Sequence, residues 1–369
     1  MIILTVNTGS SSVRLAVFQS NDDGQLKVLA DAHYALGGSE PQQSLLQFLA
    51  QQGLPPISLV GHRVVHGGIH LNVTCLLDTE VEREIARLAP LAPLHNPIAL
   101  QWIQAVREIL GENVPQVAVF DTAFYADLPQ LARTYAIPHA LSAKHGVRRY
   151  GFHGLAHEAM WRGWRKLCPE VTDGGRIISL QLGAGCSVTA VDGGVPCDTS
   201  MGFSPLEGLM MATRSGDVDP GLITFLQRQE GLTPDQTDSL LNEYSGLLGV
   251  SGISADMREL LGSSDDRACL AVDMYCYRAR KYLGAYLAVL GGADAIVFGG
   301  GVGENAPAVR ARILENMAWA GIELDEAENL AEIGVERRIS APDSAIEVWV
   351  VNVDEAVILA EQALATAPQ

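Results

Sequence analysis

The chain predicts an α/β protein of two related domains. Strand patterns alternate with helical ones, and a strand–turn–strand unit rich in Gly and Ser occurs twice. The first copy spans 2–18 around Asn7-Thr8-Gly9-Ser10-Ser11-Ser12, and the second spans 176–191 around Gly183-Ala184-Gly185-Cys186-Ser187. Turns of this kind bare backbone N–H groups and hydroxyls, the donors a phosphate chain needs. Either copy alone reads as an ordinary hairpin. A third Gly-rich turn, Gly299 to Asn305, follows the apolar run 293–298 and precedes a helical pattern, and the three together point to one nucleotide served by two related domains.

Each element has a local reason. Strands are expected at 2–7, 13–18, 57–65 and 115–120, with helices at 41–52 and 95–110. From Arg176 the pattern restarts: two strands, a Gly193-Gly194 hairpin signal, then helices near 219–229 and 233–244, the latter opened by Thr233-Pro234. A long helix over 266–290 leads into a strand at 294–298, and a strand at 346–352 precedes a terminal helix from Asp354. Strand signals lapse between Tyr125 and Arg149. The expected domains are therefore 1–125 together with 355–369, and 126–354, the terminal helix packing back on the first.

At 369 residues, with 48% apolar and 18% charged residues, the chain can fill two cores and is neither disordered nor a coiled coil. A net charge of −18 disfavours nucleic-acid and anionic-membrane partners, so small molecules are the expected ligands. If those ligands are anions, local cations must overcome the overall field. Six cysteines without C-x-x-C spacing suggest neither a disulfide framework nor a zinc ribbon, and the apolar run 285–298 is broken by Asp294. A reducing cytoplasm is the simplest setting.

Four segments carry candidate chemistry. In Gly61-His62-Arg63-Val64-Val65-His66-Gly67-Gly68, the histidines lie four apart on a strand with no adjacent third ligand, a poor zinc site. Arg63, at the strand end, suits a carboxylate or phosphate as well as it suits a surface ion pair. Phe120-Asp121-Thr122-Ala123-Phe124 sets a carboxylate just past a buried strand, either functional or a cap on the next turn. Arg148-Arg149-Tyr150-Gly151-Phe152-His153-Gly154 precedes a helix bearing His157 and Glu158, which lacks the second histidine of a metalloprotease motif. His153 could act on a transferring phosphoryl group or be a core histidine. The run 198–220 surrounds Arg214 with turn-forming residues that fix an exposed backbone path.

Together these strings resemble the acetate kinase family, whose superfamily includes sugar kinases, actin and heat-shock chaperone ATPases. The likeness covers nearly the whole chain in order: V-N-T-G-S-S-S, H-R-V-V-H-G-G, L-A-P-L-H-N-P, F-D-T-A-F, R-R-Y-G-F-H-G, D-T-S-M-G-F-S-P-L-E-G-L-M-M, T-R-S-G-D-V-D-P and G-G-G-V-G-E-N. It implies a duplicated ribonuclease-H-like fold with an interdomain cleft, a homodimer, ATP and Mg²⁺ (or Mn²⁺). By position it implies that Arg63 and Arg214 grip the acyl carboxylate and phosphoryl, that Asp121 and His153 serve catalysis, and that Asn7 and Asp354 hold the metal. Val65, Leu94, His95, Phe152 and Pro205 would bind the acid. Ser12, Arg14, Gln181, Leu182, Gly183, Ala184, Gly185, Asp256, Met257, Arg258, Gly301, Val302, Gly303, Glu304 and Asn305 would bind the nucleotide.

The acceptor follows from charge. A sugar hydroxyl must lose a proton and needs a base and a polar pocket, whereas a carboxylic acid of pKa about 4 to 5 is already ionised. Bringing two anions together calls for paired cations instead. The chain departs from the family's H-L-G-N-G at Gln181 and Ala184, and also at Ala212, Arg14, Tyr125 and in Val353-Asp354-Glu355. The alternatives are a propionate or butyrate kinase of the same mechanism, or a nucleotide-binding regulator with impaired turnover.

Overall fold

The computed structural model describes residues 1–9, 12–21, 23–35, 40–50, 53–331 and 334–367, so Ser10 and Ser11 of the first Gly/Ser turn lie outside the described residues. The chain folds as two units, one of residues 1–126, 152–155 and 354–369, the other of 127–151 and 156–353. Among the described residues each unit is built on one six-stranded sheet.

In the first unit β1 (Ile2–Thr8), β2 (Ser12–Ser20) and β3 (Leu26–Ala35) form an antiparallel meander. Next to β1 lie β4 (Leu59–Val64) and β6 (Gln116–Phe120), both parallel to it, and the short antiparallel edge β5 (Cys75–Leu76), giving the order β3-β2-β1-β4-β6-β5. β4 and β6 are buried along their whole length, and that burial takes in His62, Arg63 and Gln116 beside their apolar residues. On one face Leu4, Val6, Val60, Trp102 and Val106 share a core with the helices Pro41–Leu49 and Asn96–Leu110. The terminal helix Glu355–Thr366 packs on β1, β4 and β6. Gly61 lets it close in: a Cβ there would stand 3.0 Å from Ala363 Cβ and 3.2 Å from the Leu359 carbonyl.

The second unit repeats the plan. β7 (Arg176–Leu182), β8 (Cys186–Asp192) and β9 (Val195–Thr199) form the meander, β10 (Ala295–Gly299) and β12 (Glu347–Val350) run parallel to β7, and β11 (Arg337–Arg338) is the antiparallel edge. Read as β9-β8-β7-β10-β12-β11, its order and strand directions match the first sheet strand for strand. This is the duplicated ribonuclease-H-like, actin-like ATPase arrangement. Gly193 and Gly194, both at positive φ (59° and 92°), make the two-residue hairpin between β8 and β9. Thr233 and Gln236 form a full capping box at the helix Pro234–Glu243.

Between Tyr125 and Arg149, where strand signals were expected to lapse, the described residues form the short helices Gln130–Arg133 and His139–His145 and no strand. Two expectations need correction. β3 is a strand that the sequence reading missed, because its mixed burial shows no clean period of two. The third Gly-rich turn is itself helical, Gly300–Asn305, with Gly300 at φ 77°; tertiary setting overrides the poor helix propensity of G-G-V-G-E-N.

Candidate active site

In the first unit the residues at the strand ends converge on Arg63, the penultimate residue of β4. Its Nε donates to Asp121 Oδ1 (3.0 Å) and its Nη2 to Asp121 Oδ2 (2.6 Å), a two-pronged pairing that fixes the guanidinium plane. Nη1 donates to Asn7 Oδ1 (3.1 Å) and lies 3.3 Å from Glu355 Oε2, and Asn7 Nδ2 donates to that same oxygen (2.7 Å). β1 supplies Asn7, the turn after β6 supplies Asp121, and the first turn of the terminal helix supplies Glu355. Burial opposes the Arg63 charge, but the two carboxylates outweigh it and hold the guanidinium protonated. Burial pushes the Asp121 carboxyl up while Arg63 pulls against it.

The glycine end of the β4 segment is held from outside the sheet. Asn96 Nδ2 donates to the His66 carbonyl (3.0 Å) and Asn96 Oδ1 accepts the His66 N–H (3.2 Å), while Gly67 N–H donates to Thr122 Oγ1 (3.0 Å). The two histidines of the motif serve separate partners: His62 Nε2 meets Gln116 Oε1 at 2.7 Å and His66 Nδ1 accepts from Gly68 N–H at 2.9 Å. Among the described residues, no group of three His, Cys, Asp or Glu is placed to hold a metal alone. Val65 and Phe152 are buried, the Phe152 ring meeting the His66 ring edge-on at 5.5 Å, and Leu94 is exposed. His95 occupies the N-cap of the helix Asn96–Leu110. His153 is half-buried and stands at φ 57°, the left-handed region that non-glycine residues seldom adopt.

In the second unit Arg214 is half-buried and donates through Nη1 to the Pro205 carbonyl (2.8 Å). Among the described residues no carboxylate lies within ion-pair distance of it, and burial lowers its pKa. Its loop is built to hold that position: Asp217 accepts from Gly208 N–H (2.8 Å) and from the Tyr282 hydroxyl (2.7 Å), and Glu207 accepts from Arg149 Nη2 (2.6 Å) and Tyr135.

Gln181, at the end of β7, pairs in register with Gly299 of β10, so its carboxamide sits against Gly300. Its Oε1 is buried without a hydrogen-bond partner. Ala184 is exposed between Gly183 and Gly185, and Leu182 is buried. Glu304 Oε1 folds back to accept from Gly300 N–H (2.9 Å) and Val353 N–H (3.1 Å). Asn305 Nδ2 bonds the Gly301 carbonyl at 2.9 Å, Gly303 is buried, and Gly301 and Val302 are not. Met257 is buried, while Arg258 is exposed and fixed to Asp256, the N-cap of its own helix. In the first unit Ser12 opens β2, and Arg14 is held between Asp31 and Asp354 (2.8 Å).

Sequence reasoning passed over three residues. Glu355 is the carboxylate that reaches Asn7 and Arg63; Asp354, named from the motif, instead pairs with Arg14 and caps the terminal helix through Ala356 N–H (3.1 Å). Asn96 stands in the quoted L-A-P-L-H-N-P string, but its clamp on His66 shows only in three dimensions. His157, on the helix Gly154–Leu167, bridges Ser179 Oγ and Ser187 Oγ at 2.7 Å each, tying together the two strands that flank Gly183–Gly185.

An actin-like ATPase fold whose first unit gathers an arginine, an amide and two carboxylates at its strand ends is the setting of a phosphotransferase. Residues 39–361 match the model of the Acetokinase family, and the chain belongs to that family. It is 41% identical to the acetate kinase of Bacteroides thetaiotaomicron over 99% of both chains, and 47% identical to that of Solibacter usitatus over 84% of this chain and 76% of the relative. Among solved structures, Porphyromonas gingivalis acetate kinase superposes with a TM-score of 0.88 at 37% identity over 99% of both chains. A propionate kinase from Francisella tularensis gives 0.89 at 34%, over 99% of this chain and 100% of that one.

Proposed function

We propose that the chain catalyses the reversible, Mg²⁺-dependent transfer of the γ-phosphoryl of ATP to acetate, giving acetyl phosphate and ADP. Arg214 is the observation that carries this reading, in a chain of this family: a guanidinium partly withdrawn from water without a carboxylate beside it is stable mainly as a receptor for an anion. Arg63, already oriented by Asp121 and Asn7, is the second cation. Acetate arrives ionised, so no base is required; the two arginines offset the repulsion between carboxylate and terminal phosphate and stabilise charge on the equatorial oxygens. His153 adds a donor to that phosphoryl group, and Asp121 acts by holding Arg63.

Asn7 and Glu355 fit Mg²⁺ by chemistry, an amide oxygen and a carboxylate being the hard donors this ion takes, few in number because it keeps waters and phosphate oxygens as its other ligands. Glu355 is preferred to Asp354 because it lies beside Asn7, whereas Asp354 pairs with Arg14 and caps the terminal helix. When bound, the ion supplies neutralisation of the nucleotide's phosphates. The Gly183–Gly185 turn and the start of the helix Gly300–Asn305 offer backbone N–H groups to them. Ser12 and the segments Asp256 to Arg258 and Gly301 to Asn305 complete the nucleotide site, and Arg14 acts through Asp354.

Val65, Leu94, Phe152 and Pro205 receive the methyl group, with His95 beside Leu94 in sequence. One methylene in such a pocket discriminates by only about 1 to 3 kcal/mol, so propionate is a slower substrate and not an excluded one. A cytoplasmic homodimer completes the proposal, to be checked by fractionation and sedimentation. Hydroxylamine trapping tests the reaction itself: purified protein with acetate and Mg·ATP should yield acetyl hydroxamate in step with ADP. ATP binding by calorimetry without hydroxamate from acetate, propionate or butyrate would assign the chain to nucleotide-dependent regulation instead.

A further inference from the structure

The left-handed backbone at His153 requires an explanation, because a β-carbon in that region costs roughly 1 kcal/mol or more and persists only where the surroundings over-determine it. The explanation lies in the single-turn 3₁₀ helix Asp121–Tyr125. Tyr125 is fully buried and its hydroxyl donates to the Phe152 carbonyl at 2.9 Å. The N–H of His153, the other end of the same peptide unit, donates to the Asp121 carboxylate. Gly154 lies so close that a Cβ there would stand 2.0 Å from the Asp121 carbonyl. One peptide plane is thus gripped at its C=O by the last residue of the short helix and at its N–H by the first. With that plane fixed and residue 154 pressed on Asp121, little rotation is left about the N–Cα bond of His153.

We infer that Tyr125 is a positioning residue for phosphoryl transfer: its O–H locks the Phe152–His153 peptide and thereby aims the His153 imidazole. The inference rests on the part given to His153 above. The Arg63 guanidinium and the His153 peptide share one anchor, Asp121, so the cation and the imidazole are set in a common frame whose second fixed point is the Tyr125 hydroxyl. A phenol at this position supplies the long reach from the end of the helix to the Phe152 carbonyl.

The experiment is Tyr125→Phe, which removes one O–H and leaves the ring, its edge contact with Phe124 (centroids 5.3 Å apart) and the burial intact. Per folded enzyme, kcat is expected to fall about tenfold with KM for acetate and Mg·ATP within about twofold, the pattern of a contact that matters in the transition state alone. The ring signals of ¹³C-labelled His153 should shift in the variant. A purely structural role would lower the melting temperature and leave kcat and the His153 signals alone, and that outcome overturns the inference. His153→Ala separates the two readings: normal turnover there refutes the role of His153, whereas lost turnover with a fully active Tyr125→Phe refutes only Tyr125. Should the variant not fold, amide exchange in the parent protein decides, because a clamped peptide requires the His153 N–H to exchange about a thousandfold slower than an open chain, and an unprotected amide contradicts the clamp.

Discussion

Arg63 and Arg214 are the same side chain in opposite electrostatic settings. Arg63 is caged: Asp121 takes two of its nitrogens, Asn7 and Glu355 a third, and its charge is compensated before any substrate arrives. Arg214 has no carboxylate within ion-pair distance among the described residues: its Nη1 rests on the Pro205 carbonyl, and its loop is stiffened by Asp217, Tyr282 and Glu207, which bond to other groups. A caged arginine gains precise aim and loses field; an uncompensated one keeps its field and is destabilising until an anion comes. In the proposed reaction two such groups would divide the work, the first orienting and the second attracting.

Mutation should expose that difference. Alanine at either position is expected to cut kcat/KM about a hundredfold or more, as lost electrostatic donors do, but the folded proteins should part company. Arg63→Ala leaves the buried Asp121 and the half-buried Glu355 without their cation and is expected to destabilise the first unit by about 3 to 5 kcal/mol. Arg214→Ala removes a charge without a partner and should leave stability within about 1 kcal/mol of the parent. Urea unfolding of the two variants measures this, and equal losses would erase the distinction.

A smaller effect compares buried histidines of the two units. Burial lowers His62 to about 4 in the first unit and His157 to about 3 in the second, from 6.5. Their folded-state values are depressed, so the unfolded chain takes up protons near pH 6.5 that the folded chain refuses. Stability should be full above that pH and fall as the pH drops from 6.5 towards 4, by about 3 kcal/mol for each group on linkage grounds. Unfolding curves across this window should steepen in pH dependence there, and His62→Asn should flatten the share belonging to the first unit. A flat profile between pH 4.5 and 7 would mean that these rings are hydrated.

The sheet plan was legible because the central strands are mostly apolar, with a few polar interruptions, and their Gly/Ser turns are chemically distinctive: Ile2 to Val6, Leu59 to Val64 and Ile177 to Leu182 announce themselves. Arg63, Asp121 and Arg214 were legible as unusual residues at strand ends and in a turn-rich loop. Glu355 was not, because the first turn of a helix normally carries acidic residues for the helix dipole, and nothing local distinguishes one that faces a guanidinium. β3 escaped because an edge strand with mixed burial has no period to read. His157 was read only as failing to complete a metalloprotease motif; its partners Ser179 and Ser187, distant in sequence, meet both its ring nitrogens only in the fold.

The central claim is that Arg63 and Arg214 serve one transition state, and the kinetics of the double variant Arg63→Ala/Arg214→Ala test it most directly. Groups that act on a single transferring phosphoryl are non-additive, so the double variant is expected to lose little more turnover than the worse single one. A loss equal to the product of the two single losses, or near-normal turnover in either single variant, would contradict the account.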